Sequence, residues 1–239
     1  MSNVIKRGTS KQCWPAMLLA LCMCASSTML QAQAPAGGKR PLVEVRTEVG
    51  TLVIALHNET PVHRDNFLKL VREGAYDGLL FHRVMQGFMV QGGDPDSREP
   101  AAGAMLGTGD PGYTLPAEIV PGLVHTRGSV AAARQGDSVN PDKRSNGMQF
   151  YIVLGRTYEK EDLDRMVQRA LQYGDTVVYT EANVNDYARE GGAPQLDGAY
   201  TVFGEVVDGH EVIDALAAVA CNAQDRPLKD IRMFMRILE

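Results

Sequence analysis

The sequence predicts a mainly β fold: a closed antiparallel eight-stranded β-barrel capped by two α-helices and carrying a helical insertion. Three observations predict it. Eight short segments read as strands, at 42–46, 51–56, 79–84, 88–91, 128–133, 149–154, 200–207 and 231–238. Two helical patterns lie far apart in the chain, one after Thr60 and one near 211–219, placed to cover the ends of a barrel. Long glycine-rich loops separate the strands, and closing the sheet removes edges that would otherwise stay exposed.

The 239 residues suit one well-buried domain with room for a leader and an insertion. Residues 1–12 carry Lys6, Arg7 and Lys11 with no acid, and 14–25 are almost wholly apolar before Ser26, Ser27 and Thr28. Residues 1–34 therefore read as an export signal, its apolar core short of the roughly 20 residues of a spanning helix. Ala32-Gln33-Ala34 offers cleavage after either alanine. A lipid-bearing Cys22 or Cys24 is the lesser option, because Leu21 and Met23 are poor residues to precede one. The mature chain is then expected in the periplasm or cell envelope, without an integral membrane span.

Cys221 is the one cysteine beyond the leader, so the mature chain has no internal disulfide. Removing the leader's three basic residues takes the formal net charge from −5 to −8, which argues against nucleic-acid binding. Residues 35–41 form a Pro/Gly/Ala-rich linker, and the patterned domain runs over 42–239.

The first two strands form a hairpin through Gly50. Thr60 is placed to cap a helix with Pro61 in its first turn, Phe67, Leu70 and Val71 on its apolar face and Gly74 at its end. Within the insertion, 156–194, Leu163, Met166, Val167, Ala170 and Leu171 make one helical stripe that Gly174 can stop. Val184, Tyr187 and Ala188 make a weaker one before Gly191-Gly192. Packing on the barrel is the favoured reading of this helical hairpin; a lid or client-binding surface is the alternative.

The five histidines, at 57, 63, 82, 125 and 210, show no zinc spacing, and no metal or other cofactor is expected. Gly103, Gly107, Gly109 and Gly112 lack the ending of a phosphate loop and read as a surface loop. Asp94, Asp96 and Glu99 lack calcium-loop spacing and read as solvated turn residues.

Four ordered blocks, YDGLLFHRVMQGFMVQGGDP at 76–95, HTRGSVAAAR at 125–134, NGMQFYIVLG at 146–155 and LDGAYTVFGEVVDG at 196–209, resemble the cyclophilin family of peptidyl-prolyl isomerases. The resemblance covers 42–154 and 196–239 and leaves 155–195 unmatched. It implies an enzyme that rotates X-Pro bonds in proline-containing polypeptides and so assists the folding of exported proteins. A noncatalytic peptide-binding or chaperone module on the same barrel is the alternative. A monomer is expected.

By the same resemblance Arg83 is the catalytic donor to the prolyl nitrogen, and Gln91 bonds the substrate backbone and holds Arg83. Phe88, Met89, Tyr151, Leu196 and Tyr200 wall the proline pocket. Ala133 and Arg134 pair with the peptide, Arg134 through its backbone, and Gln149 lines the site. Phe150 should face away from Tyr151 as a core aromatic, and His82 and His125 read as hydrogen-bonded structural histidines. Gln195 and Tyr200 stand where well-known eukaryotic members carry tryptophan and histidine. Without that indole donor there is no basis for expecting tight cyclosporin binding.

Overall fold

A computed structural model describes residues 38–101, 104–172, 174 and 177–239. The export signal, the anchor question and most of the linker lie outside the described residues. Among those described, no helix is long and apolar enough to cross a membrane.

Strands β1 (Leu42–Thr47) and β2 (Gly50–Leu56) form the hairpin, with Thr47 opposite Gly50. Helix α1 (Pro61–Arg72) follows, then β3 (Phe81–Met85) and β4 (Met89–Gly92). Two ordinary strands come next, β6 (Ser129–Ala132) and β8 (Phe150–Val153), each preceded by a two-residue strand. Those short strands, β5 (Thr114–Leu115) and β7 (Ser145–Asn146), pair only with each other. Helices α2 (Lys160–Gln172) and α3 (Glu181–Arg189) make the insertion. The chain ends on β9 (Val202–Asp208), α4 (His210–Ala217) and β10 (Phe234–Leu238).

Eight strands make one antiparallel sheet in the order β10-β1-β2-β9-β6-β8-β4-β3. The predicted closure is corrected here: the sheet is an open half-barrel, and its edge strands β3 and β10 share no ladder. Their ladders start too far along the chain to overlap. The residues at and just ahead of their starts meet instead, through a bridge between Leu80 and Arg232 and bonds from Phe81 N–H to the Ile231 carbonyl and from Met233 N–H to the Leu79 carbonyl, at 2.9 and 2.8 Å.

One face of the sheet holds the main core, built around Val43, Ile54, Phe67, Val90, Phe150 and Ile152. Phe150 meets Phe67, Tyr76 and Phe81 edge-on at 5.6–6.1 Å, the arrangement aromatic quadrupoles favour. Tyr151 lies across the sheet from it, as alternation requires.

Helix α1 ends as predicted, with Gly74 at φ 64°, but its start is capped differently. The Thr60 hydroxyl is buried without a hydrogen-bond partner among the described residues. The Glu118 carboxylate, 55 residues away, takes the first-turn N–H groups of Val62 and His63 at 3.0 and 2.9 Å. An anion at a helix N-terminus serves where a local cap is expected.

Asp94 also departs from expectation. It is fully buried rather than solvated, and its carboxylate accepts N–H groups from Asp96 (2.8 Å), Gly107 and Gly109. Gly93 before it adopts φ 83°, and a Cβ there would lie 2.6 Å from the Met148 carbonyl. The pair of glycines and the aspartate that follow Gln91 thus turn the chain sharply and tie the 107–109 loop against it.

Candidate active site

Alternation sorts the strands that form the site. Val84, Val90, Val130, Ala132 and Ile152 enter the core, so Arg83, Met89, Gln91, Ala131 and Tyr151 take the opposite face. Arg83 pairs with Gln91 across β3 and β4, and Gln91 pairs with Tyr151 across β4 and β8. Two residues of the 76–95 block and one of the 146–155 block are thereby set side by side.

A cavity of about 130 Å³ opens there, lined by Arg83, Phe88, Met89, Gln91, Ala133, Arg134, Tyr151, Leu196 and Tyr200. Every expected site residue except Gln149 is in its wall. Gln149 is buried behind Gln91: its Oε1 accepts from Gln91 Nε2 at 2.9 Å, while its own amide donates to the Gly107 and Gly109 carbonyls. It therefore fixes the direction of Gln91 instead of lining the pocket.

Arg83 is half-buried, and its Nε lies 3.7 Å from an Asp225 carboxylate oxygen. Asp225 sits at φ 61° and accepts the Val84 N–H through its carbonyl at 2.8 Å. This partner was missed in the sequence; it lies 142 positions from Arg83, in no motif. Gln91, expected to hold Arg83, is instead bonded to Gln149.

Arg134 differs from its expected backbone-only role. Its side chain is almost fully covered, donates to the Ala199 carbonyl at 2.8 Å, pairs with Asp137 at 2.6 Å and lies 4.4 Å over the Tyr200 ring. It thus stacks and steers one wall of the pocket. Ala133 uses both main-chain groups internally, its N–H on the Gln149 carbonyl and its carbonyl on the Asn146 N–H.

Behind the Tyr151 ring lies a buried polar chain. Asp197 Oδ1 accepts from the His125 backbone N–H at 2.8 Å and from Nδ1 at 2.7 Å, and Nε2 on the far side of the ring is hydrogen-bonded to the Tyr151 hydroxyl at 3.0 Å. Asp197 Oδ2 accepts the Tyr179 and Tyr187 hydroxyls at 2.8 and 2.6 Å. Burial, with the neighbouring Asp197 charge, pushes both of these phenols well above their usual range, so they remain donors. His125 is the hydrogen-bonded structural histidine expected.

His82 is not. It is buried, and neither ring nitrogen makes a hydrogen bond of good geometry among the described residues. Burial pushes its pKa down to about 4; Asp94 and the Leu80 carbonyl oppose the shift, while Arg83 and Arg226 reinforce it. The unfolded ring protonates near 6.5 and the folded ring does not, so stability is full above that pH and falls until about pH 4. The loss is on the order of 3 kcal/mol. Urea unfolding at pH 7.5 and 4.5 should show most of it, and His82→Leu should remove that part of the pH dependence. An unchanged slope in the variant would assign the acid sensitivity elsewhere.

The chain matches the family model "Cyclophilin type peptidyl-prolyl cis-trans isomerase/CLD" over residues 42–235. A Staphylococcus aureus peptidyl-prolyl cis-trans isomerase is 32% identical over 190 residues, covering 79% of this chain and 87% of that protein. A Streptococcus pyogenes protein named as a bifunctional phosphatase/peptidyl-prolyl cis-trans isomerase is 35% identical over 196 residues. The match takes in 80% of this chain but spans only 37% of that relative's length. Among solved structures, a Cryptosporidium parvum cyclophilin-type isomerase aligns with a TM-score of 0.58 at 24% identity, over 84% of this chain and 98% of that one. The same isomerase crystallised with the dipeptide Ala-Pro aligns at 0.57.

Proposed function

This chain belongs to the cyclophilin-type peptidyl-prolyl cis-trans isomerase family, and from that premise we propose that it rotates X-Pro bonds in exported polypeptides as they fold. The observation that carries the reading is the convergence of Arg83 and Gln91 on the mouth of a small apolar pocket. The proline ring enters between Phe88, Met89, Tyr151 and Leu196, which exclude water from the amide.

Rotation about a prolyl amide faces a barrier of about 20 kcal/mol, because resonance must be broken. At the top of that barrier the nitrogen is pyramidal and its lone pair is free. Arg83 is a permanent cation with a forked set of N–H donors, so it can bond that lone pair and not the planar amide. No nucleophile, proton transfer or metal takes part in this scheme. Gln91, aimed by Gln149, anchors the peptide backbone. Main-chain pairing with the peptide falls to Arg134, because Ala133 has both its groups engaged.

The proposed setting is the periplasm or cell envelope, with the leader removed and the domain acting as a monomer. The reading is tested by refolding an exported protein whose slow phase is limited by a proline isomer. Catalytic amounts of the chain should accelerate that phase at least tenfold, and cell fractionation should find the protein outside the cytoplasm. An unchanged or slower phase, with the unfolded protein still bound, would make it a peptide-binding module instead.

A further inference from the structure

The insertion leaves a second cavity beside the proline pocket. It has a volume of about 550 Å³ and lies between α2 and the segment 194–200. Met166, Arg169 and Ala170 of α2 line one side, and Tyr179 and Pro194 help to close it. It shares Arg134, Leu196 and Tyr200 with the proline pocket, so the two spaces adjoin with those side chains as their common wall.

This groove is firmly built. Tyr179 is tied to Asp197, and α3 is held by Tyr187 on the same carboxylate. Leu163 and Tyr187 are fully buried with Val124 and Tyr158, which seats α2 and α3 on the domain. The stripe on α2 is nevertheless only partly covered. Met166, Val167 and Ala170 are half-buried and Leu171 is exposed, so packing explains the Leu163 end of the helix and not the other.

Charge narrows what the groove takes. Arg134 is paired with Asp137, and Asp197 has both carboxylate oxygens bonded. Arg169, exposed on the last turn of α2, makes no ion pair among the described residues. Asp197 keeps its negative charge but is buried behind its donors, so the exposed charge at this groove without an ion pair among the described residues is the positive one of Arg169, beside Met166, Ala170, Pro194 and Leu196.

We propose that the groove is an added substrate subsite, which takes residues flanking the proline and prefers an apolar side chain next to an aspartate or glutamate. The proposal rests on the isomerase reading of the adjoining pocket. It makes the insertion a specificity element of the enzyme: a strand advances roughly 3.3–3.6 Å per residue, so a few residues beyond the proline enter the groove. A surface pair with Arg169 contributes modestly and weakens with salt, and the apolar neighbour supplies the rest.

The test uses the full chain and two kinds of peptide. One is a short blocked Ala-Pro core, and the other a set of longer peptides carrying Leu-Glu, Leu-Lys or Ser-Ser at each flanking position. Dissociation constants and exchange rates are measured by NMR. At one flanking position the Leu-Glu peptide should bind about 5- to 10-fold tighter than the Leu-Lys peptide. Arg169→Glu should reverse that order and Arg169→Gln abolish it. Ala170→Trp, which fills the groove, should bring long peptides to the short-peptide affinity. The short core should be turned over equally by all of them.

Equal binding of all flanks by the wild type, with the short core still isomerised, would overturn the subsite alone. A short core that is bound but not isomerised would instead sink the isomerase reading, and the flank preference would still decide the subsite. Should Ala170→Trp fail to fold, the two Arg169 variants carry the test.

Discussion

Arg83→Ala should lower kcat/KM for an Ala-Pro peptide by about 10²- to 10³-fold, the usual cost of removing one donor aimed at transition-state charge. Binding of the peptide should change only a few-fold, because the pocket wall is untouched and the donor acts chiefly on the twisted amide. Stability should move by no more than about 1 kcal/mol, since Arg83 and Asp225 are both only half-buried and 3.7 Å apart. Arg83→Lys keeps the charge and loses the fork, so it should recover only a small part of the rate. Because the guanidinium stays protonated and no other proton moves, the rate should be flat with pH through the neutral range. Equal rates for wild type and Arg83→Ala, with peptide affinity retained, would leave a binding groove with no catalytic donor. The size of the fall also reports how dry the site is, since an exposed donor competing with water would give far less.

What could be read from the sequence was local. Eight strands and the helices after Thr60 and near 211–219 announce themselves through alternation, apolar helical faces and punctuation such as Pro61 and Gly74, because those signals arise between neighbours a few positions apart. Phe150 and Tyr151 could be assigned to opposite faces from the pleat alone. The sheet's openness could not, because it depends on how far β3 and β10 overlap, which no single segment encodes. The two-residue strands β5 and β7 carry no pattern at all.

The candidate site was legible as a set of residues and not as a network. The family resemblance of the ordered motifs brought Arg83, Gln91 and the pocket wall together, and the fold places them around one cavity. Long-range partners escaped notice: Asp225 for Arg83, Glu118 for the start of α1, Ala199 and Tyr200 for the Arg134 side chain. Asp94 is the sharpest case. Prolines and acids around it resemble a solvated turn, yet the groups that bury it are the backbone N–H groups of Gly107 and Gly109, which have no side chain to reveal them.

Asp197→Ala should cost about 3–5 kcal/mol, the scale on which removal of one partner from a buried charged network acts. Asp197 accepts four hydrogen bonds, and the His125, Tyr179 and Tyr187 donors would be left with no acceptor in its place. At roughly 2–4 °C per kcal/mol for a domain of this size, the midpoint of thermal unfolding should fall by about 6–20 °C. Asp197→Asn separates charge from shape: the amide oxygen can still serve His125, and the phenol hydroxyls can turn to accept from the new NH₂. It should cost clearly less than alanine. Tyr187→Phe removes one donor and leaves the carboxylate three, so about 1–2 kcal/mol is expected. The carboxylate follows Leu196 in the chain and orients His125 against Tyr151, so its loss should also loosen two walls of the proline pocket. Weaker peptide binding in Asp197→Ala at a temperature where it remains folded would tie the insertion to the pocket. Unchanged binding and an unfolding midpoint within about 2 °C of wild type would mean that the network carries neither stability nor pocket geometry.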